Sequence, residues 1–340
     1  MPPDSQSPIS RLESPPPARH GLIIGKFMPL HAGHQHLIAT ARAQVERLTV
    51  ILFSKPHEPI SGYLREDWLC ETFPDLPIFH YDLDGPVDFA SEAAWQFWVD
   101  AIRGMLRAPV DLVFTSEPYG DELARRLGAR HVSVDPDRQR YPISATAIRA
   151  APLTHWEYLP PAVRAHYVRR VAIVGAESTG KTTLAQALAA HFNTAWVPEF
   201  ARDYLIARGG VCTEADMPVI ADGQAAAEDA LARRANRLLI CDTNLLTTRL
   251  WHEHYFGPPP ARLAALAAEH SAHLTLLCAP DTPWVGDGLR DSPTHRDWFH
   301  QRFQAELDAA RLPYRILAGP YPARLPAAIE AVTGLLAVSP

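Results

Sequence analysis

Short apolar runs alternate along this chain with longer segments of helical period. His20–Gly25 (HGLIIG), Arg170–Val174 (RVAIV), Arg237–Asp242 (RLLICD), Leu274–Ala279 (LTLLCA) and Tyr314–Leu317 (YRIL) are dominated by aliphatic and β-branched residues and read as buried strands. Elsewhere apolar positions recur every three or four residues: from His34 to Val45, over Ala94–Leu106, at Leu184, Leu188 and Phe192, through the alanine-rich stretch Met217–Arg237, and over Ala323–Val338. Strands that feed helices in this way predict an α/β protein with parallel sheets.

One strand–loop–helix corner divides the chain. Residues 171–192, VAIVGAESTGKTTLAQALAAHF, fill the pattern G-x-x-x-x-G-K-[ST] with Gly175, Gly180, Lys181 and Thr182. Between a strand and a helix, such a loop cradles a phosphate chain. Gly175, Glu177, Ser178, Thr179, Gly180, Thr182 and Thr183 supply the surrounding loop and helix N-terminus, Lys181 adds a point charge, and the Thr182 hydroxyl is a ligand for Mg²⁺. The apolar strand ending at Asp242 has the Walker B arrangement and sets a second metal-binding oxygen opposite Thr182. ATP and Mg²⁺ are the expected cofactors of a P-loop kinase domain. The acceptor side of such kinases lies at the end of the second strand, where this chain carries Glu199, Arg202 and Asp203. Either carboxylate suits deprotonation of a primary hydroxyl, with Arg202 orienting a carboxylate or a phosphate; acids that merely favour a helix N-terminus are the plainer alternative. The Gly-rich loop Asp281–Arg290 reads as a lid whose Arg290, or Arg296 beyond it, meets the transferring phosphoryl group.

The 340 residues suffice for two domains, and 47% hydrophobic with 21% charged residues is an ordinary globular composition. No apolar run approaches the roughly 18 residues of a membrane span. A net charge of −6 without a basic run argues against a nucleic-acid partner. Residues 1–18 are rich in Pro and Ser and read as a disordered tail, without a secretory signal and too short for a helix-turn-helix domain. Cys70, Cys212, Cys241 and Cys278 form no C-x-x-C pair and read as reduced core thiols of a cytoplasmic protein.

The first strand opens a second corner, KFMPLHAGH (26–34), in which His31 and His34 flank Gly33 beside Lys26. Two imidazoles and a lysine at a helix N-terminus suit phosphate oxygens, and Gly33 admits close approach; taken alone, the histidines could equally be satisfied turn residues. A later YPISATAIR (141–149) adds Ser144 and Thr146 hydroxyls with Arg149 a turn further on. Together these segments resemble the nucleotidyltransferase superfamily with H-x-G-H and I-S-x-T-x-x-R signatures, and within it nicotinamide mononucleotide adenylyltransferases. With the P-loop half, the chain after about residue 20 resembles the bifunctional NadR-type family, an adenylyltransferase fused to a ribosylnicotinamide kinase; FTSEPYG (114–120), VDPDR (134–138) and EFARDY (199–204) agree with its segments. The resemblance implies a Rossmann-like nucleotidyltransferase domain over 19–163 and a P-loop kinase domain over 164–340. It also implies ATP over the loop of Gly25, Lys26, Phe27, Pro29, His31, Gly33 and His34, and nicotinamide riboside, its mononucleotide (NMN) and ATP as small-molecule partners, with NAD as product. Trp98 is the favoured stacking face for a cationic pyridine ring, with Trp95 as a core residue. A P-loop half acting only as an ATP-responsive sensor is the alternative, and the sequence leaves homo-oligomerisation open.

Overall fold

The computed structural model describes residues 18–86, 90–285 and 293–337. The chain forms two compact units, divided between Ala145 and Thr146, ahead of the boundary expected at 163/164. Segment 146–163 is attached to the second unit: the Arg237 guanidinium donates to the Leu153 carbonyl at 2.7 Å, and Arg164 to that of Trp156 at 3.3 Å.

The first unit holds a five-stranded parallel sheet in the order β3-β2-β1-β4-β5, with β1 Ala18–Gly25, β2 Val45–Ser54, β3 Ile78–Asp82, β4 Leu112–Thr115 and β5 Arg130–Ser133. The second holds another, ordered β10-β9-β6-β8-β7, with β6 Arg169–Gly175, β7 Ala195–Val197, β8 Leu238–Asp242, β9 Leu274–Cys278 and β10 Tyr314–Leu317. Strands covered on both faces must be apolar throughout, and β4, β8 and β9 are buried at every position. Along β6 the side chains alternate between two cores. Val171 and Ile173 pack with Leu184, Leu188 and Val332, whereas Ala172 and Val174 face Leu250, Phe299 and Phe303.

From β1 the chain builds outward through β2 to β3 and then crosses to β4 and β5; from β6 it goes to the edge strand β7, fills in β8 between them, and then crosses to β9 and β10. The direction of winding therefore reverses beside β1 in one unit and beside β6 in the other. Ligands of open α/β sheets bind outside the carboxyl ends of strands at such a switch point. Both sequence motifs sit there, immediately after β1 and β6.

Two of the four cysteines depart from the core expected for them. Cys241 and Cys278 are buried, but Cys70 is exposed on the helix Gly62–Thr72 and Cys212 is half-exposed; all four are free thiols. The expected helix Met217–Arg237 ends at Ala232, where Arg233–Asn236 turn into β8. No described helix is long and apolar enough to cross a membrane.

Candidate active sites

After β1 the chain turns through Phe27, whose φ of +48° is left-handed, and enters the helix Ala32–Arg42. His31 is the cap residue of that helix, its backbone extended and its Nδ1 accepting from the Gly33 amide at 3.1 Å. That bond fixes the tautomer: the proton of neutral His31 resides on Nε2. The His31 and His34 rings lie 3.9 Å apart at 32°, with Phe27 edge-on to His34 at 5.0 Å. Burial pushes the His31 pKa down to about 4, helped by the nearby Arg138 guanidinium. The same burial, then His31 and Arg138, depresses His34. Both rings are therefore neutral N–H donors at pH 7 in the unliganded chain.

Lys26 remains the exposed cation of this loop, its ammonium 2.7 Å from Glu58. Burial alone would raise the Glu58 pKa, but hydrogen bonds from Lys26 and Arg65 outweigh it and hold the carboxylate below its usual range. Arg65 is fully buried and donates to Glu58 at 2.6 Å and to the Lys26 carbonyl at 2.8 Å, so one guanidinium fixes both partners. Arg138, in the VDPDR segment, was missed as a site residue; its charge reaches both histidines while it donates to Glu117 at 3.0 Å. Ser144 precedes the short helix Ala145–Ala150, in which Arg149 donates to the Thr146 hydroxyl at 3.2 Å. Trp95 is buried, as expected. Trp98 is half-buried, its indole N–H donating to the Pro86 carbonyl at 2.8 Å.

The second corner is built on a tight approach. Gly175 has φ +140°, and a Cβ there would stand 2.7 Å from the Cys278 carbonyl, so only glycine lets β6 turn against β9. Gly180, at φ +80°, caps the helix Lys181–His191. Inside the loop, Thr179 Oγ1 and Lys181 Nζ donate to the Ala176 carbonyl at 2.7 and 2.9 Å. Outside it, the buried Arg324 donates to the Thr179 carbonyl at 2.9 Å, and Thr282 Oγ1 to that of Ser178 at 2.7 Å.

Thr182 Oγ1 donates to Asp242 Oδ2 at 2.5 Å. Asp242 is buried with Oδ1 unpartnered, and burial raises its pKa against the opposing Thr182 hydrogen bond and Lys181 charge. A hydroxyl and a carboxylate with one oxygen unused fit a divalent cation that takes its remaining ligands from phosphate and water. Among the described residues no group of three or more His, Cys, Asp or Glu gathers as an all-protein cage.

A cavity of about 180 Å³ opens between this loop and the helices behind it. It is lined by every residue from Glu177 to Thr183 and also by Glu199 and Arg202. Asp203 is exposed and absent from the lining. The two acids separate because Glu199 is the cap residue of the helix Phe200–Ala207, with extended backbone (φ −64°, ψ 106°), and so leaves the helical register of Asp203. Leu205, Met217 and Ile220 form an apolar wall, with the Trp251 indole also lining the cavity. Gln224, buried in the same wall, accepts from the Phe200 amide and donates to Glu228, both at 3.1 Å. Gln224, Thr247 and Trp251 were not assigned a site role from the sequence, although the segment 243–248 that contains Thr247 resembles the family's segment after Asp242. Arg290 lies outside the described residues; Arg296 donates to the Thr282 carbonyl at 2.9 Å.

Residues 170–324 match a family model described as an AAA domain. The trifunctional NAD biosynthesis/regulator protein NadR of Escherichia coli (strain K12) is 34% identical over 295 residues, covering 79% of this chain and 71% of that protein. A crystal structure of NadR protein in complex with NR matches with a TM-score of 0.78 at 22% identity, covering 95% of this chain and 97% of that one. A second, in complex with NAD and AMP-PNP, matches at 0.77 and 22% identity, covering 94% and 97%. The structural likeness establishes the common fold, and the sequence identity over most of both proteins goes further: the chain belongs to the NadR family.

Proposed function

We propose that this chain makes NAD in two ATP-dependent steps, phosphorylating nicotinamide riboside in the second unit and adenylylating the resulting mononucleotide in the first. The observation that carries the reading is that Lys181, Thr182 and the phosphate loop line the same cavity as Glu199. An ATP-responsive sensor has no need of an acceptor-side carboxylate; a kinase does.

In the kinase step Glu199 takes the proton of the riboside primary hydroxyl as its oxygen bonds to the γ-phosphorus and the bond to the ADP oxygen breaks. Lys181 and the loop amides meet the charge on the phosphoryl oxygens. Thr182 and Asp242 would hold Mg²⁺, which would neutralise charge on the ATP phosphates. Leu205, Met217 and Ile220 exclude water around the pyridine ring, and the Trp251 indole offers a face to its positive charge. In the adenylyl step the mononucleotide phosphate is already an anion, so its attack on the α-phosphorus, with pyrophosphate leaving, needs no general base. It needs positioning and donors to the leaving group, the role assigned in the first unit to Lys26, His31 and His34, with Ser144 adding a hydrogen bond. Arg138 joins that set. The reducing cytoplasm suits an enzyme with four free cysteines.

The reading is tested with labelled ATP and nicotinamide riboside. γ-Label should move to the mononucleotide and α-label to NAD. Riboside that acquires neither label would refute the kinase step, and mononucleotide that acquires no α-label would refute the adenylyl step.

A further inference from the structure

We propose that the Thr247 hydroxyl hydrogen-bonds a secondary hydroxyl of the acceptor's ribose and so makes the kinase cavity selective for ribosides; this rests on the kinase reading above. Thr247 lies in the first turn of the helix Leu245–Phe256, is 5% exposed and lines the cavity. Its Oγ1 is buried without a hydrogen-bond partner. A threonine in a helix can return its hydroxyl to the carbonyl four residues earlier, and this one does not. Four other polar side chains lining the cavity are already engaged. Gln224 uses both ends of its amide, Thr179 and Lys181 hold the Ala176 carbonyl, and Thr182 holds Asp242. The Thr247 hydroxyl is left for whatever fills the cavity.

Its place along the helix identifies the group. Asp242 ends β8 at the phosphate side, Thr247 follows, and Trp251 stands four residues further on the same helical face, about 6 Å along the axis. A nucleoside presents its parts in that order: the phosphoryl-accepting oxygen, the sugar, then the ring. With the accepting oxygen at Glu199 and the pyridine ring at Trp251, the ribose lies against Thr247. A hydroxyl that both donates and accepts matches a secondary alcohol. A site built to hydrogen-bond a substrate hydroxyl rejects the analogue lacking it, because the buried partner is left unpaired.

The test compares kcat/KM for nicotinamide riboside and its 2′-deoxy and 3′-deoxy analogues in full-length wild type, Thr247→Val, Thr247→Ala and Thr247→Ser. Wild type should disfavour one analogue by about tenfold or more, equivalent to about 1.4 kcal/mol. Thr247→Val and Thr247→Ala should lose about tenfold on the riboside, chiefly in KM, while changing that analogue by less than about twofold, so that the preference collapses. Thr247→Ser should keep the preference, and unliganded Thr247→Val should melt no lower than wild type. Equal losses on all three substrates, or unchanged riboside kinetics, would overturn the assignment. Wild type that phosphorylates no riboside at all would overturn the kinase reading itself.

Discussion

Replacing Glu199 by Gln keeps the shape of the side chain and removes its basicity, which separates a catalytic carboxylate from a structural one. Glu199 lines the same cavity as Lys181, whereas Asp203, four residues on, is exposed. A positioned general base contributes about 10²–10⁴-fold, so Glu199→Gln should raise the kinase barrier by roughly 3–5 kcal/mol. Asp203→Asn removes only an exposed charge in the first turn of a helix, about 0.3–1 kcal/mol of stability, and should leave kcat within about twofold. The assay is the initial rate of mononucleotide formation at saturating ATP, Mg²⁺ and riboside. Adenylyl transfer from supplied mononucleotide, measured on the same preparation, reports that the chain is intact. KM for ATP should hold steady in both variants, because the phosphate loop is untouched. An undiminished rate in Glu199→Gln, or a comparable collapse in Asp203→Asn, would refute this division of labour.

Gln224→Leu should act at a distance from the chemistry. It removes the acceptor of the Phe200 amide and the partner of the buried Glu228, worth about 3 kcal/mol together, so thermal unfolding of the kinase unit should fall by roughly 6–12 °C. Loosening the start of the helix that Glu199 caps should lower kinase kcat and spare adenylyl transfer; unchanged melting and kcat would count against the positioning role. His31 makes the first unit acid-sensitive. The unfolded chain takes a proton near pH 6.5 and the folded one only near 4, so stability of about 3 kcal/mol present above pH 6.5 is lost as pH falls toward 4. Melting curves across that window should flatten in His31→Asn, which keeps an acceptor for the Gly33 amide; an identical slope in both proteins would contradict it.

The sequence made the two phosphate corners legible because their chemistry is local. Gly175, Gly180, Lys181 and Thr182 act through one loop, and Asp242 announces itself as an acid ending an apolar strand. The central strands β1, β6, β8 and β9 could be anticipated from their continuous apolar runs, whereas β3 and β5, which are not buried along their length, carry no such run. The acceptor wall is different. Gln224, Thr247 and Trp251 come from two helices whose sequences do not mark them, and only the packing of those helices against each other brings the three to one cavity. Glu199 and Asp203 looked equivalent at a spacing of four, because no Ser, Thr, Asp or Asn marks where their helix begins. Arg138 reaches the two histidines through a loop whose course is set by Asp135 accepting from the amides of Gln139, Arg140 and Tyr141, a local bond set that no periodicity reports. The neutrality of His31 and His34 depends on burial and was likewise invisible.

The most direct measurement is an end-point assay of the full chain with nicotinamide riboside, ATP and Mg²⁺, resolving mononucleotide, NAD, ADP and pyrophosphate, with Lys181→Ala and His34→Ala alongside. Wild type should yield NAD. Lys181→Ala should yield none from riboside but recover when mononucleotide is supplied, and His34→Ala should accumulate mononucleotide. Riboside left unphosphorylated by wild type that still converts added mononucleotide to NAD would contradict the two-step scheme and leave the P-loop unit without a catalytic role.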